Sequence, residues 1–238
     1  MSRPAAAHGP QAQGHDGATV RSMFDRIAPT YDTLNHLLSA GVDNFWRTVV
    51  AREVPDPSPR VLDLCAGTLD LAVAVQKEHP YATVVGADFA VEMLRRGAHK
   101  LIDPPLTGAD AMRLPFKDAS FDAAVCGFGV RNVADLAGCF HEVRRVLKPG
   151  GTFVVLEFFR PERAVTRFFH NVYNRQVLPA VGAAISGDRG AYQYLADSME
   201  RFFSLAEAKE LMASCGYEKV EGQDLFFGVA SVLKGTRA

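Results

Sequence analysis

The stretch Val61-Leu-Asp-Leu-Cys-Ala-Gly-Thr-Leu-Asp70, answered by Gly86-Ala-Asp88, decides the fold of this chain. An apolar run ends in a small-residue turn and a helical pattern begins, so backbone N–H groups point outward at a ligand. Asp88 lies twenty-one residues beyond Gly67, at the end of the next strand-like run. A carboxylate there can accept from both hydroxyls of a ribose. The turn lacks the full G-x-G-x-x-G pattern, which weighs against a nicotinamide dinucleotide. A short turn with acids on both strand tips, Asp63 and Asp88, suits a nucleoside without a pyrophosphate. S-adenosyl-L-methionine (SAM), with its ribose, adenine and amino-acid ends, fits that description. The alternative is a purely structural turn beside a solvent-facing Asp88.

Outward from this unit, strand-like runs alternate with helical patterns. Arg60–Leu64, Ala82–Asp88, Phe121–Cys126 and Thr152–Glu157 are continuous and apolar, as strands covered on both faces are. Helical patterns occupy about 69–79, 90–99 and 135–147, the last stopped by Lys148-Pro-Gly-Gly151. Two further runs, 217–224 and 228–234, flank a short Phe226-Phe227-Gly228 turn and predict an antiparallel hairpin. The expectation is an α/β fold with a mostly parallel sheet and helices on both faces. Two apolar, aromatic helical regions, Val20–Arg52 and about 164–203, are expected to cap the carboxyl ends of the strands, where such sheets bind ligands. The domain reading is a disordered tail over 1–18 and a single domain over 19–238. Within that domain, 19–55 forms a helical lid and 160–204 a substrate-side insertion.

Bulk properties exclude other classes. The 238 residues carry 26 Lys and Arg against 27 Asp and Glu, so the net charge of −1 gives no case for nucleic-acid binding. The four cysteines are scattered without metal-ligand spacing, which points to a reducing, cytoplasmic compartment and no metal. The tail, rich in Ala, Gly, Pro and Gln, has no apolar run of a signal peptide. No stretch reaches the roughly 20 apolar residues of a membrane span, so any membrane contact is expected to be peripheral.

A third piece of the candidate cofactor site is Gly108-Ala-Asp110-Ala111, where a carboxylate and a neighbouring amide can read an adenine edge. Asp110 taken alone is more often a loop cap. Its place one strand beyond Asp88 favours the ligand. The cofactor-binding candidates are Asp63, Ala66, Gly67, Thr68, Asp88, Phe89, Asp110, Ala111 and Gly127.

The chain resembles the ubiquinone/menaquinone biosynthesis C-methyltransferases (UbiE/MenG) from about residue 20 to its end. Three stretches carry the resemblance. They are Phe24-Asp-Arg-Ile-Ala-Pro-Thr-Tyr31-Asp32-Thr-Leu-Asn35 continuing through Ser39 to Trp46, then Phe128-Gly-Val-Arg131-Asn132-Val133, and Arg145-Val-Leu-Lys-Pro-Gly-Gly151 through Leu156-Glu157. Val177-Leu-Pro179, Gly187-Asp188 and Tyr192-Gln-Tyr-Leu195 look like the family's substrate-side insertion. The resemblance implies a Rossmann-like seven-stranded sheet, SAM as donor and a polyprenylated benzoquinol or naphthoquinol as acceptor. It maps SAM contacts onto Thr68, Asp88, Asp110 and Ala111, and lays Tyr31 over the methionine end. The lipid-tailed acceptor implies an apolar mouth facing a bilayer, and a homodimer is compatible with the pattern. The sequence departs from the family at Leu69, usually Gly, at Asp43, often His, at Phe159, often Ser, and at Gly127, a Ser in some members.

Methyl transfer to a ring carbon needs in-line alignment and a neighbouring hydroxyl that ionises. Arg131, Asn132 and Tyr31 are the catalytic candidates. Arg131 would stabilise the phenolate electrostatically, and Asn132 would fix a water or the ring hydroxyl. The bland alternative for Arg131 is an ion pair with Asp135, and for Tyr31–Asp32 a helix cap that closes the lid. Histidine as a residue type titrates near neutrality, which makes His36 and His141 tempting bases, but they are weaker candidates. The aromatic run Phe168-Phe169, Tyr173, Tyr192, Tyr194 and Phe202-Phe203 reads as core and as a slot for the ring and tail. Two rival functions stand beside this one: methylation of oxygen or nitrogen on another small aromatic, and a non-catalytic SAM-binding partner, suggested by Leu69.

Overall fold

A computed structural model of the chain describes residues 17–29, 31–39, 41–55, 59–162, 166–167 and 189–238. Its centre is one seven-stranded sheet in the order β3-β2-β1-β4-β5-β7-β6. The strands are β1 (Arg60–Leu64), β2 (Thr83–Asp88), β3 (Leu106–Gly108), β4 (Phe121–Gly127), β5 (Leu147–Glu157), β6 (Tyr217–Leu225) and β7 (Ala230–Arg237). β1 to β5 run parallel, while β7 is antiparallel to both β5 and β6. The expected sheet and closing hairpin are therefore present. β5 begins earlier than the sequence suggests: Leu147 already pairs with Phe121, and the ladder shifts register before Ala123 pairs with Thr152.

The helices are α1 (Gly17–Ile27), α2 (Tyr31–Leu38), α3 (Val42–Arg52), α4 (Asp70–Glu78), α5 (Val91–Gly97), α6 (Leu136–Val146), α7 (Arg189–Arg201) and α8 (Leu205–Ser214). Alternate strand residues feed two cores, as the period of two demands. Leu62, Leu64, Ala124, Cys126, Phe153 and Val155 pack with Phe140 and Val143 of α6 and Met212 of α8. Val61, Val84, Val125, Val154 and Leu156 pack with Trp46 and Val50 of α3 and Leu71 and Val75 of α4. The expected placement of Val20–Arg52 is corrected in part. α3 lies in a face layer because Trp46, Val50 and Ala51 bury their apolar surfaces there. Only α1 and α2 join α7 at the carboxyl ends, where Met23 and Ile27 meet Ala196. Residues 1–16, Phe168, Phe169, Tyr173, Val177–Pro179, Gly187 and Asp188 lie outside the described residues.

The departure at Leu69 has a physical account. Leu69 takes a left-handed backbone (φ 67°) that ordinarily favours glycine. Its side chain is fully buried, 0% exposed, in the core under β1 and β2. Gly86 makes the room: a Cβ there would come within 2.8 Å of the Leu69 side chain. As helix cap, Leu69 offers no side-chain acceptor. Asp63 supplies it from β1 instead, accepting from the Ala72 N–H at 3.0 Å.

Candidate active site

The sheet changes direction of winding between β1 and β4, and ligands of open α/β sheets sit at that switch point. A cleft of about 460 Å³ opens there, within the usual range for a ligand site. The turn after β1 supplies Cys65 and Gly67, the end of β2 supplies Asp88 and Phe89, and the loop after β3 supplies Asp110 and Ala111. The end of β4 supplies Gly127, and the 3-10 turn that follows supplies Arg131 and Asn132. Tyr31 of α2 closes one side, and Tyr194, Ser198 and Arg201 of α7 another. The loop after β4 packs directly on the β1 turn, since a Cβ on Gly129 would strike Cys65 Cβ at 2.3 Å.

Three of the candidates stand apart from this wall. Asp63, Ala66 and Thr68 do not line the cleft. Asp63 is buried as the cap of α4, and burial pushes its carboxyl up to about 8. The Ala66 N–H is spent on the Ala87 carbonyl at 3.1 Å. The Thr68 hydroxyl donates to Asp32 of the lid.

Asp88 is 6% exposed and lies at the bottom of the cleft. Burial raises its carboxyl to about 6, although donors from the backbones of Ala90 (2.7 Å) and Gly67 (2.8 Å) work against that rise. A carboxylate offers about four acceptor positions, so capacity remains for hydroxyl donors from a ligand. Asp110 is exposed, and its Oδ1 accepts from the Met112 N–H at 2.9 Å, an Asx turn that also holds the residue at the rim.

Arg131 is 6% exposed and pairs with Glu157, the buried last residue of β5. The expected alternative partner, Asp135, instead caps α6 by accepting from Gly138 N–H at 3.0 Å. Glu157 also accepts from the Phe158 N–H at 2.9 Å. Arg131 therefore enters the cleft as a neutralised pair, useful as a donor array more than as a free cation. Its Nε is buried with no partner among the described residues. An unpaired buried donor on the wall of a cleft is costly unless a ligand meets it.

The sequence reading missed a charged relay that ties the lid to the turn after β1. Asp43 accepts from Ser39 (2.8 Å) and from Arg47, with His36 Nδ1 at 2.7 Å. Burial alone would raise the Asp43 carboxyl, but these donors and the Arg47 charge hold it below the ordinary range. Arg47 reaches Asp70 at 3.4 Å, and Lys100 bridges Asp70 (2.6 Å) and Asp32 (2.5 Å). The departure at Asp43 thus anchors α2 to α3, and His36 is occupied by this anchor. Lys100→Met is expected to leave Asp32 without its cation and Asp70 with Arg47 alone, and to loosen α2. Hydrogen exchange in residues 31–39 should speed up, with about 1 kcal/mol lost from overall stability. Unchanged exchange would show that the relay does not hold the lid.

The remaining candidate bases and departures resolve simply. His141 is exposed on α6. Phe159 is buried against Phe202, ring centroids 5.7 Å apart. A Cβ on Gly127 would meet Leu71 at 3.3 Å, so the site is tight there. All four cysteines are free thiols, and hydrogen bonding to Cys126 followed by burial keeps Cys65 well above its ordinary value. Among the described residues no cluster of His, Cys, Asp and Glu could hold a metal.

The strand order and the cleft at the switch point are those of a Rossmann-like ligand-binding sheet, and the family match makes the chain a SAM-dependent methyltransferase. The chain belongs to the ubiE/COQ5 methyltransferase family, whose model matches residues 12–237. It is 44% identical over 220 residues to the demethylmenaquinone methyltransferase of Thermus thermophilus, covering 90% of this chain and 100% of the relative. It is 40% identical over 227 residues to the ubiquinone/menaquinone biosynthesis C-methyltransferase UbiE of Syntrophotalea carbinolica, covering 93% and 95%. Among solved structures, a Thermotoga maritima SAM-dependent methyltransferase, described as a possible histamine N-methyltransferase, superposes with a TM-score of 0.68 at 22% identity. That match covers 91% of this chain and 99% of the other. It speaks for the fold alone.

Proposed function

We propose that this enzyme transfers the SAM methyl group to a ring carbon of a polyprenylated quinol of the demethylmenaquinol type. One observation carries the reading: a single cleft has an acid-and-glycine floor at Gly67 and Asp88 and an Arg131–Asn132 wall beside aromatic side chains. Asp88 would take the ribose hydroxyls, and Asp110 with Ala111 the adenine edge. Gly127 and the β1 turn would flank the methionine end, with Tyr31 above. The residues fit SAM because the buried Asp88 carboxylate keeps acceptor positions toward the cleft. When bound, SAM supplies an electrophilic methyl on a sulfonium.

The protein's own task is to raise the nucleophilicity of the ring and to align it. Arg131 and Asn132 donate to the ring hydroxyl as it ionises, which concentrates electron density on the neighbouring carbon. Glu157 keeps the guanidinium in place as the ring hydroxyl gives up its proton. Water at the cleft mouth takes it. Phe202 and Tyr194 flank the acceptor, and the tail leaves toward a bilayer that the protein meets peripherally. Among the described residues no helix is long and apolar enough to cross a membrane.

The test is to incubate the protein with methyl-labelled SAM and short-chain demethylated quinols under reducing conditions. Label on a ring carbon is the expected result. Label on oxygen or nitrogen, or on no quinol at all, overturns the reading.

Asp88 gives a pH signature. Its ionised form is the one that accepts both hydroxyls, and burial has moved its titration to about 6. SAM affinity is therefore expected to be flat above pH ~7 and to weaken about tenfold per pH unit below ~6. Calorimetry across that window checks it, and Asp88→Asn should be weak and flat throughout. Wild-type affinity that holds to pH ~5 would place Asp88 outside the contact.

A further inference from the structure

Asn132 can donate to a reacting ring oxygen only if something decides which end of its amide faces the cleft. Its two limbs are nearly isosteric, and an unanchored amide turns freely between a donor and an acceptor. The anchor is on another element. Tyr194, one helix turn before Ser198 on α7, places its hydroxyl 3.1 Å from Asn132 Oδ1. Burial raises the Tyr194 phenol above its ordinary value, so the hydroxyl keeps its proton and donates. α7 itself is fixed by α1, where Ala196 packs into the cluster of Met23 and Ile27 and Tyr194 lies against it.

We propose that Tyr194 is a positioning residue for methyl transfer. Its hydroxyl occupies Asn132 Oδ1 and thereby presents Nδ2, on the residue that follows Arg131 along the cleft wall, as a fixed donor to the acceptor's ring hydroxyl. The inference rests on the acceptor site proposed above and adds its orientation. A donor fixed before the reaction costs no reorganisation as charge develops, whereas a turning amide must be ordered at that moment. Tyr194 comes from the chain's insertion after β5, so the residue that sets the amide also belongs to the wall that receives the ring. A bound acceptor and a correctly turned Asn132 are then one event.

The experiment is a double-mutant cycle on the whole protein, Tyr194→Phe, Asn132→Ala and both together, with labelled SAM and a short-chain demethylated quinol. Tyr194→Phe removes one oxygen and keeps the ring. It is expected to lower kcat about tenfold, by analogy with misplacement effects in positioned sites, with SAM Kd within twofold. Asn132→Ala is expected to lose about 10²-fold, the size of one oxyanion donor. The double variant should be no worse than Asn132→Ala alone, because Tyr194 acts only through Asn132. Losses that multiply in the double variant, or a Tyr194→Phe enzyme with wild-type kcat, overturn the inference while leaving the acceptor site intact. Wild-type turnover in Asn132→Ala removes the acceptor site itself and this inference with it. A Tyr194→Phe loss that appears equally in SAM affinity marks a general loosening of α7 and also counts against it.

Discussion

Arg131→Met is expected to cost the protein both its activity and a large share of its stability. The substitution strands Glu157, 0% exposed at the end of β5, without the guanidinium that neutralises it. Breaking a buried ion pair from one side typically costs about 3–5 kcal/mol. For a domain of this size that corresponds to a fall in Tm of roughly 10 °C. Turnover should fall by about 10²–10³-fold through the lost donor. The two effects can be separated. Arg131→Met combined with Glu157→Gln removes both charges, and most of the stability should return, since a buried pair contributes little net over neutral residues. Activity should stay lost in the double variant. Thermal unfolding and quinol turnover on the three proteins decide the matter. A double variant that regains turnover would show that Arg131 serves only the fold.

Leu69→Ala carries the second large effect, of a different kind. The side chain is enclosed by the core beneath β1 and β2, and comparable Leu→Ala changes cost about 3–5 kcal/mol. Leu69→Gly relieves the left-handed backbone, worth about 1 kcal/mol, and should be about as destabilised because it empties the same space. SAM affinity should stay within about twofold in both, because Leu69 faces away from the cleft. Gly86→Ala should destabilise the wild type and do so less in the Leu69→Ala background, where the facing side chain has gone. Improved SAM binding in Leu69→Gly would place the side chain in the cofactor's space and revive the reading of a non-catalytic partner.

These two residues show how far the sequence carries. The turn after β1 and Asp88 were legible because their chemistry is written in consecutive residues at strand ends, and the sheet followed from apolar runs with a fixed period. Leu69 was visible as a departure from a glycine position, but its destination was not. Only the pairing of β1 with β2 sets Gly86 beneath it. The lid relay was invisible for the same reason. Asp32 meets Thr68 thirty-six positions away and Lys100 sixty-eight away, and each charge read singly resembles a solvated surface. Glu157 did carry a signal. An acid closing the buried run Val154-Val-Leu-Glu157 must find a cation, and Arg131 ends the neighbouring strand's loop. The Asp135 alternative rested on helical spacing, which fails because the segment between them is a 3-10 turn followed by an extended residue. Tyr194 appeared only as one of many aromatics, since its distinguishing feature is a hydroxyl aimed at Asn132.

The two margins of the sheet bear on how copies of this protein meet. β3 is three residues long, and β6 turns Glu218, Lys219, Glu221, Gln223 and Asp224 outward, with a register shift between Glu218 and Glu221. Short, kinked and charged margins resist strand-to-strand joining. Extension of the sheet by a second copy is thus disfavoured at both margins, so the strand edges do not compete with the cleft at the carboxyl ends as a place of contact.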